Sequence, residues 1–155
     1  MANIGIYGGS FNPPHKGHML AAAQCRAALG LERVIVIPAA VPPHKALADG
    51  SPDAQTRLAL TKLAVKGLDG FEVSDLELRR EGPSYTVDTL RQLSAQHPDD
   101  ALWLSRWTIH RSRRSSASGG MRSCATMWSC SARDANSTWT RCAMGSCRRC
   151  SSARR

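Results

Sequence analysis

Short apolar runs alternate with longer amphipathic stretches over the first two thirds of this chain, and then the rhythm ceases. Ile4-Gly5-Ile6-Tyr7 predicts a short strand buried on both faces. His18 to Leu29, rich in Ala and Leu, predicts a helix stopped by Gly30. Arg33 to Pro38 contains Val34-Ile35-Val36-Ile37, a continuous β-branched run of the kind found in parallel strands. Strand, helix and strand in so short a span make a βαβ unit with a right-handed crossover.

Ala39 to Gly50 reads as a loop, and it carries Val41-Pro42-Pro43-His44-Lys45. Ser51 as N-cap, with Pro52 at the first helical position, predicts a helix from Asp53 to about Lys66. Phe71-Glu72-Val73 begins another strand, and Asp75 to Arg80 reads as partly extended. Gly82-Pro83 breaks the chain, Ser84 caps a helix from about Tyr85 to Gln96, and Ala101-Leu102-Trp103-Leu104 is a further buried strand. Alternating strands and helices predict an open, mostly parallel α/β sheet. Its ligand site belongs at the carboxyl ends of the strands, where the strand order reverses.

From Ser105 onward the pattern stops. The last 51 residues hold 12 Ser and 11 Arg, and Ile109 is the only residue there among Leu, Ile, Val and Phe. One aliphatic residue cannot build a core, so residues 105–155 are expected to be a disordered tail behind a domain at 1–104. Charge divides at the same place. The net charge of +9 is the sum of −1 over residues 1–104 and +10 over residues 105–155, where Asp134 is the single acid. The basicity that would suggest a nucleic-acid or membrane partner therefore belongs to the tail alone. Five of the six cysteines lie there too: Cys124, Cys130, Cys142, Cys147 and Cys150.

A length of 155 residues suits one domain. No apolar run approaches membrane-spanning length, and no basic-then-apolar signal pattern opens the chain. The expected location is the cytoplasm, with no membrane partner.

The candidate chemistry is concentrated in Gly8-Gly9-Ser10-Phe11-Asn12-Pro13-Pro14-His15-Lys16-Gly17-His18. It follows the first strand and precedes the first helix. Glycines let backbone approach a ligand closely, and the free N–H groups of a helix's first turn favour an anion. His15 and His18 add side-chain donors over the same place, and Pro13 and Pro14 stiffen the turn. A strand, a Gly-rich turn and a helix start in that order make a phosphate site. A capped helix and an ordinary turn would account for any one of these features, but not for all of them together.

This stretch resembles the signature of the nucleotidyltransferase superfamily, His-x-Gly-His after the first strand, here His15-Lys16-Gly17-His18. Its fuller wording is similar to that of the nicotinate-nucleotide adenylyltransferases. The related phosphopantetheine adenylyltransferases typically place Thr where this chain has His15. The resemblance implies a Rossmann-like α/β fold with helices on both faces of the sheet. It also implies adenylyl transfer from ATP to nicotinate mononucleotide, giving nicotinate adenine dinucleotide and pyrophosphate. His15 and His18 would be the catalytic pair. Gly8, Gly9, Ser10, Phe11, His44, Lys45 and Arg57 would join them in holding ATP and its phosphates. Pro83-Ser84-Tyr85-Thr86 matches the segment that recognises the pyridine nucleotide, through Ser84, Tyr85 and Thr86. There a helix N-terminus, a hydroxyl and an aromatic face suit the carboxylate that nicotinate carries and nicotinamide lacks. Taken alone, His44-Lys45 is a solvated basic loop, Arg57 a solvated helical arginine, and Ser84 an ordinary cap.

In-line attack of a mononucleotide phosphate on the α-phosphorus of ATP needs no nucleophilic side chain. Positioning and charge stabilisation carry it. Mg2+ bound mostly by ATP oxygens and water is expected, with no dedicated protein metal site.

The resemblance covers residues 1–104. The Gly-x-Asp segment and the later Ile-Ser-x-Thr/Ser-x-x-Arg segment of the family do not follow, and family members are longer. A shift of reading frame near Ser105 explains the composition, because GC-rich coding sequence read out of frame yields Arg, Ser, Cys and Trp. Joining the third base of each codon to the first two of the next, from Gly119 to Cys130, permits WHALLRYDVVLL, an amphipathic helix leading into a strand. From Asn136 onward it permits FDLDALRDGFLPALL, and Met127-Trp128 forces GTG followed by a G-initial codon. On this reading the 155-residue form is impaired, with a sheet edge and an apolar face uncovered.

Two alternatives stand beside it. One is pantetheine-phosphate or another small-molecule adenylyl transfer. The other is a non-catalytic protein whose basic Cys-rich tail binds zinc or nucleic acid through pairs such as Cys147-Arg148-Arg149-Cys150. No nucleic-acid partner is expected unless that tail is real.

Overall fold

Ile4 and Ile6 enter one apolar cluster and Tyr7 enters another, so the first strand is buried on both sides as its unbroken apolar run requires. The computed structural model describes residues 1–43, 46–109, 125–132 and 140–143, with side-chain surroundings as far as 104. The elements are β1 (Asn3–Gly9), α1 (Lys16–Leu29), β2 (Arg33–Pro38), α2 (Ala54–Val65), β3 (Phe71–Val73), α3 (Thr86–Gln96), β4 (Ala101–Ile109), β5 (Ala125–Ala132) and β6 (Thr140–Ala143).

The strand order is β3-β2-β1-β4-β5-β6, and the first four strands are parallel. Ile4, Ile6, Ile35, Ile37 and Leu102 pack with Leu90 and Leu93 of α3 on one face. Tyr7, Val34 and Val36 pack with Ala22 of α1 and Val65 of α2 on the other. Helices therefore cover both faces of a Rossmann-like sheet. Each aliphatic side chain buried in this way contributes about 1.5–3 kcal/mol relative to exposure. Gly5 lets Leu31 close against the strand, because a Cβ at that position would lie 2.7 Å from Leu31 Cδ1. The strand order reverses at β1: β2 and β3 lie to one side, and β4 to the other. The carboxyl end of β1 is thus the switch point at which ligands bind in such sheets.

Several boundaries differ from those read off the sequence, each for a local reason. β1 runs on through Gly8 and Gly9, which pair with Ile37 and Pro38, so these glycines are strand residues rather than turn residues. α1 begins two residues before His18, at Lys16, with His15 at the N-cap and Gly30, at φ 61°, as its left-handed C-cap. Asp53 takes the N-cap position assigned to Ser51, its carboxylate accepting the Thr56 N–H at 2.7 Å. Ser51 instead accepts a hydrogen bond from Asn12 at 2.7 Å. Asp75 to Arg80 is a turn rather than an extended segment, the Leu78 N–H donating to the Asp75 carbonyl. Ser84 is not the cap of α3. Tyr85 occupies that position, and Ser84 is turned to other partners described below.

Beyond Leu104, β4 continues to Ile109 and pairs antiparallel with β5, which pairs antiparallel with β6. These strands lie within the stretch whose sequence shows no apolar pattern. Antiparallel ladders join backbone groups and so do not require one. Cys124, Cys147 and Cys150, with the rest of residues 110–124, 133–139 and 144–155, lie outside the described residues, as do the surroundings of Cys130 and Cys142.

Candidate functional site

A cavity of about 390 Å³ opens at the carboxyl end of β1, lined among others by Gly8, Gly9, Ser10, Phe11, His15 and His18. Six of the residues read from the sequence as a phosphate site are thus brought together at the switch point. Gly8 is exposed, with open space where a side chain would stand. At Gly9 a Cβ would come within 3.2 Å of the Phe11 ring, so its absence seats that ring against the strand. Phe11 is 2% exposed and holds a left-handed φ of 43°, a conformation that costs a non-glycine residue about 1–3 kcal/mol unless its surroundings enforce it. They do: its ring meets Tyr7 at 5.7 Å and His18 edge-on at 5.3 Å. The Asn12–Pro13 peptide bond is cis.

The two histidines act as one unit. Their rings stack at 3.7 Å, and the His15 backbone N–H donates to His18 Nδ1 at 3.2 Å. Accepting that proton leaves the neutral His18 imidazole with its own hydrogen on Nε2, free to donate to a ligand oxygen. Gly17 makes the stacking possible, since a Cβ there would sit 3.0 Å from His15 Nδ1. The spacing His-x-Gly-His therefore has a steric reason that sequence reading alone did not supply. Burial, and then the neighbouring His15, lower the His18 pKa below the ordinary 6.5, so at neutral pH the ring is uncharged. Deeper in the cavity the Tyr7 hydroxyl is buried with no hydrogen-bond partner among the described residues. Burial, with Cys25 nearby, pushes its pKa up to about 12, which keeps it protonated.

A first prediction follows from His18. Its Hε1 resonance in the free protein titrates below 6.5, and binding a polyphosphate moves the midpoint upward, because an adjacent anion favours the charged ring. Proton uptake on adding ATP at pH about 6 checks this, and an unchanged midpoint contradicts it. The sign for stability follows from the same shift. The stability contributed by neutral His18 is present above the unfolded value near 6.5 and is lost as pH falls through the lower folded value.

Arg57 is not at the cavity surface. It is 1% exposed, and its guanidinium donates to the Ser10 carbonyl at 2.8 Å, Ala39 at 2.6 Å, Ala40 at 2.9 Å and Pro52 at 3.3 Å. The phosphate-binding role read for it is corrected: four backbone carbonyls take its donors, and it ties the loop after β1 to the loop after β2. Burial lowers its pKa while Asp53 opposes that. Changing Arg57 to Ala strands those carbonyls and is expected to cost about 3 kcal/mol or more in denaturant unfolding. A loss below about 1 kcal/mol would contradict this structural role.

Ser84, Tyr85 and Thr86 lie at the start of α3. Tyr85 and Thr86 are exposed, whereas Ser84 is buried, accepting from the Ala40 and Val41 N–H groups at 3.0 and 3.3 Å. Direct contact between Ser84 and a ligand is corrected on that ground: Ser84 faces the β2 loop. His44 and Lys45 lie outside the described residues. Sequence reading quoted Asn12 and Gly17 within the stretch but missed what each does there. Each is legible only through a partner distant in the chain or through a side chain that is not there.

A parallel α/β sheet with a glycine- and histidine-lined cavity at its switch point places this chain in the class of open α/β proteins that bind ligands beyond the carboxyl ends of their strands. The cytidylyltransferase-like family model matches residues 6–123, and the chain belongs to that family. A relative from Geobacillus thermodenitrificans named "Probable nicotinate-nucleotide adenylyltransferase" is 46% identical over 103 residues, covering 66% of this chain and 47% of its own. One of the same name from Geobacter sp. is 50% identical over 100 residues, covering 64% and 46%. The chain thus spans about half the length of the curated relatives it matches. Among solved structures, nicotinic acid mononucleotide adenylyltransferase of Plasmodium falciparum complexed with NaAD superposes with a TM-score of 0.57 at 20% identity. That superposition covers 67% of this chain and 51% of the other, and it bears out the fold. Among the described residues no helix is long and apolar enough to cross a membrane.

Proposed function

We propose that the chain carries the nucleotide-binding half of an adenylyltransferase that joins ATP and nicotinate mononucleotide into nicotinate adenine dinucleotide, releasing pyrophosphate. The observation that carries this reading is the stacked His15–His18 pair, which lines the same cavity as Gly8 and Gly9 at the switch point of the sheet. The relatives named above support the choice of substrates.

On this reading a phosphate oxygen of the mononucleotide attacks the α-phosphorus of ATP, and the α–β bridging oxygen leaves with pyrophosphate. The His18 Nε2–H donates to oxygens whose charge grows in the transition state, with the His15 ring stacked beside it. The first-turn N–H groups of α1 face the same anion. His44 and Lys45, on the loop after β2, add positive charge, and Thr86 with the first turn of α3 receives the nicotinate carboxylate. Mg2+ accompanies ATP in this proposal. Among the described residues no group of three His, Cys, Asp or Glu side chains could hold a metal ion, and the cation of this proposal is carried mostly by phosphate oxygens and water. A cytoplasmic location accords with such a reaction.

The tail is part of the proposal. Residues 105–155 are the product of a shifted frame, and the 155-residue form is impaired. Calorimetric titration of this polypeptide with nicotinate mononucleotide and with nicotinamide mononucleotide tests the substrate reading. Tighter binding of the nicotinate form, by about tenfold for one charged hydrogen bond, is expected. Equal affinity for both, or binding of neither, overturns it.

A further inference from the structure

Ala39, Ala40 and Val41 follow β2 directly and belong to no helix or strand, and Val41 is 54% exposed. Backbone of an exposed loop ordinarily takes water as its hydrogen-bond partner. Here the protein supplies a partner for every N–H and every carbonyl of the segment. The Ala39 N–H donates to the Gly9 carbonyl, at the end of β1, at 2.9 Å. The Ala39 and Ala40 carbonyls accept from the Arg57 guanidinium at 2.6 and 2.9 Å. The Ala40 and Val41 N–H groups share the Ser84 hydroxyl oxygen, at 3.0 and 3.3 Å. The Val41 carbonyl accepts the Ser84 N–H at 2.9 Å.

Two residues from distant parts of the chain thus grip one peptide segment through opposite chemistry. The Arg57 guanidinium has only donors and takes carbonyls, whereas the Ser84 side chain presents an acceptor oxygen and takes N–H groups. Their partners do not overlap, so neither grip replaces the other. Arg57 reaches back from α2 and also holds the Ser10 carbonyl at 2.8 Å, in the turn that lines the cavity. Ser84 is 6% exposed and stands immediately before Tyr85, the N-cap of α3. Val41 in turn leads into Pro42-Pro43-His44-Lys45. The chain after β1, the chain after β2 and the start of α3 therefore meet at Ala39–Val41.

We propose that Ser84 is a positioning residue whose bonds to Ala40 and Val41 order the start of α3 and the loop after β2 as one unit, which Arg57 anchors to the cavity turn. The ordering is a property of the chain alone. That the unit holds nicotinate mononucleotide rests on the function proposed above. Ser84→Ala deletes the shared acceptor and leaves the backbone N–H of residue 84 in place. Ser84→Thr retains the oxygen.

The test compares amide hydrogen exchange in the 155-residue polypeptide and in these two variants. In Ser84→Ala the amides of Ala40 and Val41 are expected to exchange about tenfold faster. The amides of Asp88 and Thr89, which donate to the Tyr85 carbonyl in the first turn of α3, are expected to rise with them by about the same factor. Those of β1 and β2 change less than about twofold. Ser84→Thr is expected to stay within about threefold of the wild type throughout. A rise confined to Ala40 and Val41, a uniform rise across the sheet, or a Ser84→Thr protein as fast as Ser84→Ala overturns the ordering. Titration with nicotinate mononucleotide supplies the second arm, because a loss of global stability alone leaves the affinity of the folded molecules unchanged. An affinity about tenfold lower in Ser84→Ala is expected, while the wild type binds. Equal binding by the two overturns the positioning role and leaves the proposed function standing. No binding by the wild type overturns the proposed function and the substrate part of this inference, and the exchange measurement still decides the ordering.

Discussion

Changing His18 to Ala is expected to lower adenylyl transfer by about 10²–10³-fold, the size of effect seen when one preorganised donor to a developing negative charge is removed. The geometry argues for a loss mainly in kcat. The His18 ring is held in place before any ligand arrives, by the His15 N–H, by stacking on His15 and by the edge of Phe11. Such a donor does most where charge grows, on the oxygens of the transferring phosphorus and the leaving pyrophosphate. His18→Asn, which keeps a donor but shortens its reach, should recover part of the rate. Steady-state kinetics on a polypeptide carrying the restored frame checks both variants. A His18→Ala enzyme within tenfold of its parent would remove His18 from the transition state and leave it a helix-start residue only.

How much of this was legible in the sequence depends on the range of the interaction involved. Val34-Ile35-Val36-Ile37 declared β2 to the residue, because a strand buried on both faces must be apolar at every position. Gly30 declared the end of α1 for the same kind of local reason. The stretch from Gly8 to His18 was legible as a unit because it is contiguous in sequence and in space. Arg57 was not legible. Nothing in its own helix says that Ser10, Ala39 and Ala40 will offer carbonyls to it, and a solvated arginine and a buried one look alike in a sequence. Ser84 failed for a related reason. It satisfies every local rule for an N-cap, yet its hydroxyl is used by the Ala40 and Val41 N–H groups some forty residues earlier in the chain. Asp53 shows the same competition on a smaller scale, displacing Ser51 as cap two residues later.

Restoring the alternative frame after codon 104 is expected to produce the largest change of all, raising adenylyl transfer by about 10³-fold or more over the 155-residue form. That is the combined loss expected when donors to the triphosphate and part of the sheet that positions them are both missing. The physical case begins at β4. Its first residues, Ala101-Leu102-Trp103-Leu104, continue the apolar character of the parallel core, and Leu102 is 1% exposed. The next residues, Ser105-Arg106-Trp107-Thr108, abandon it within the same strand. The neighbouring β5 has the sequence ATMWSCSA, whereas the alternative frame places Asp-Val-Val-Leu-Leu over the same stretch. A strand beside β4 in a sheet covered on both faces should be apolar throughout, and the alternative frame supplies that where the present one does not. Sequencing the encoding DNA across codons 100–110 comes first, followed by activity and thermal unfolding of both polypeptides. A restored-frame protein with no higher activity and no higher Tm than the 155-residue form would refute the shift. It would turn attention to Cys147 and Cys150, where zinc uptake and salt-dependent binding to nucleic acid are then the decisive measurements.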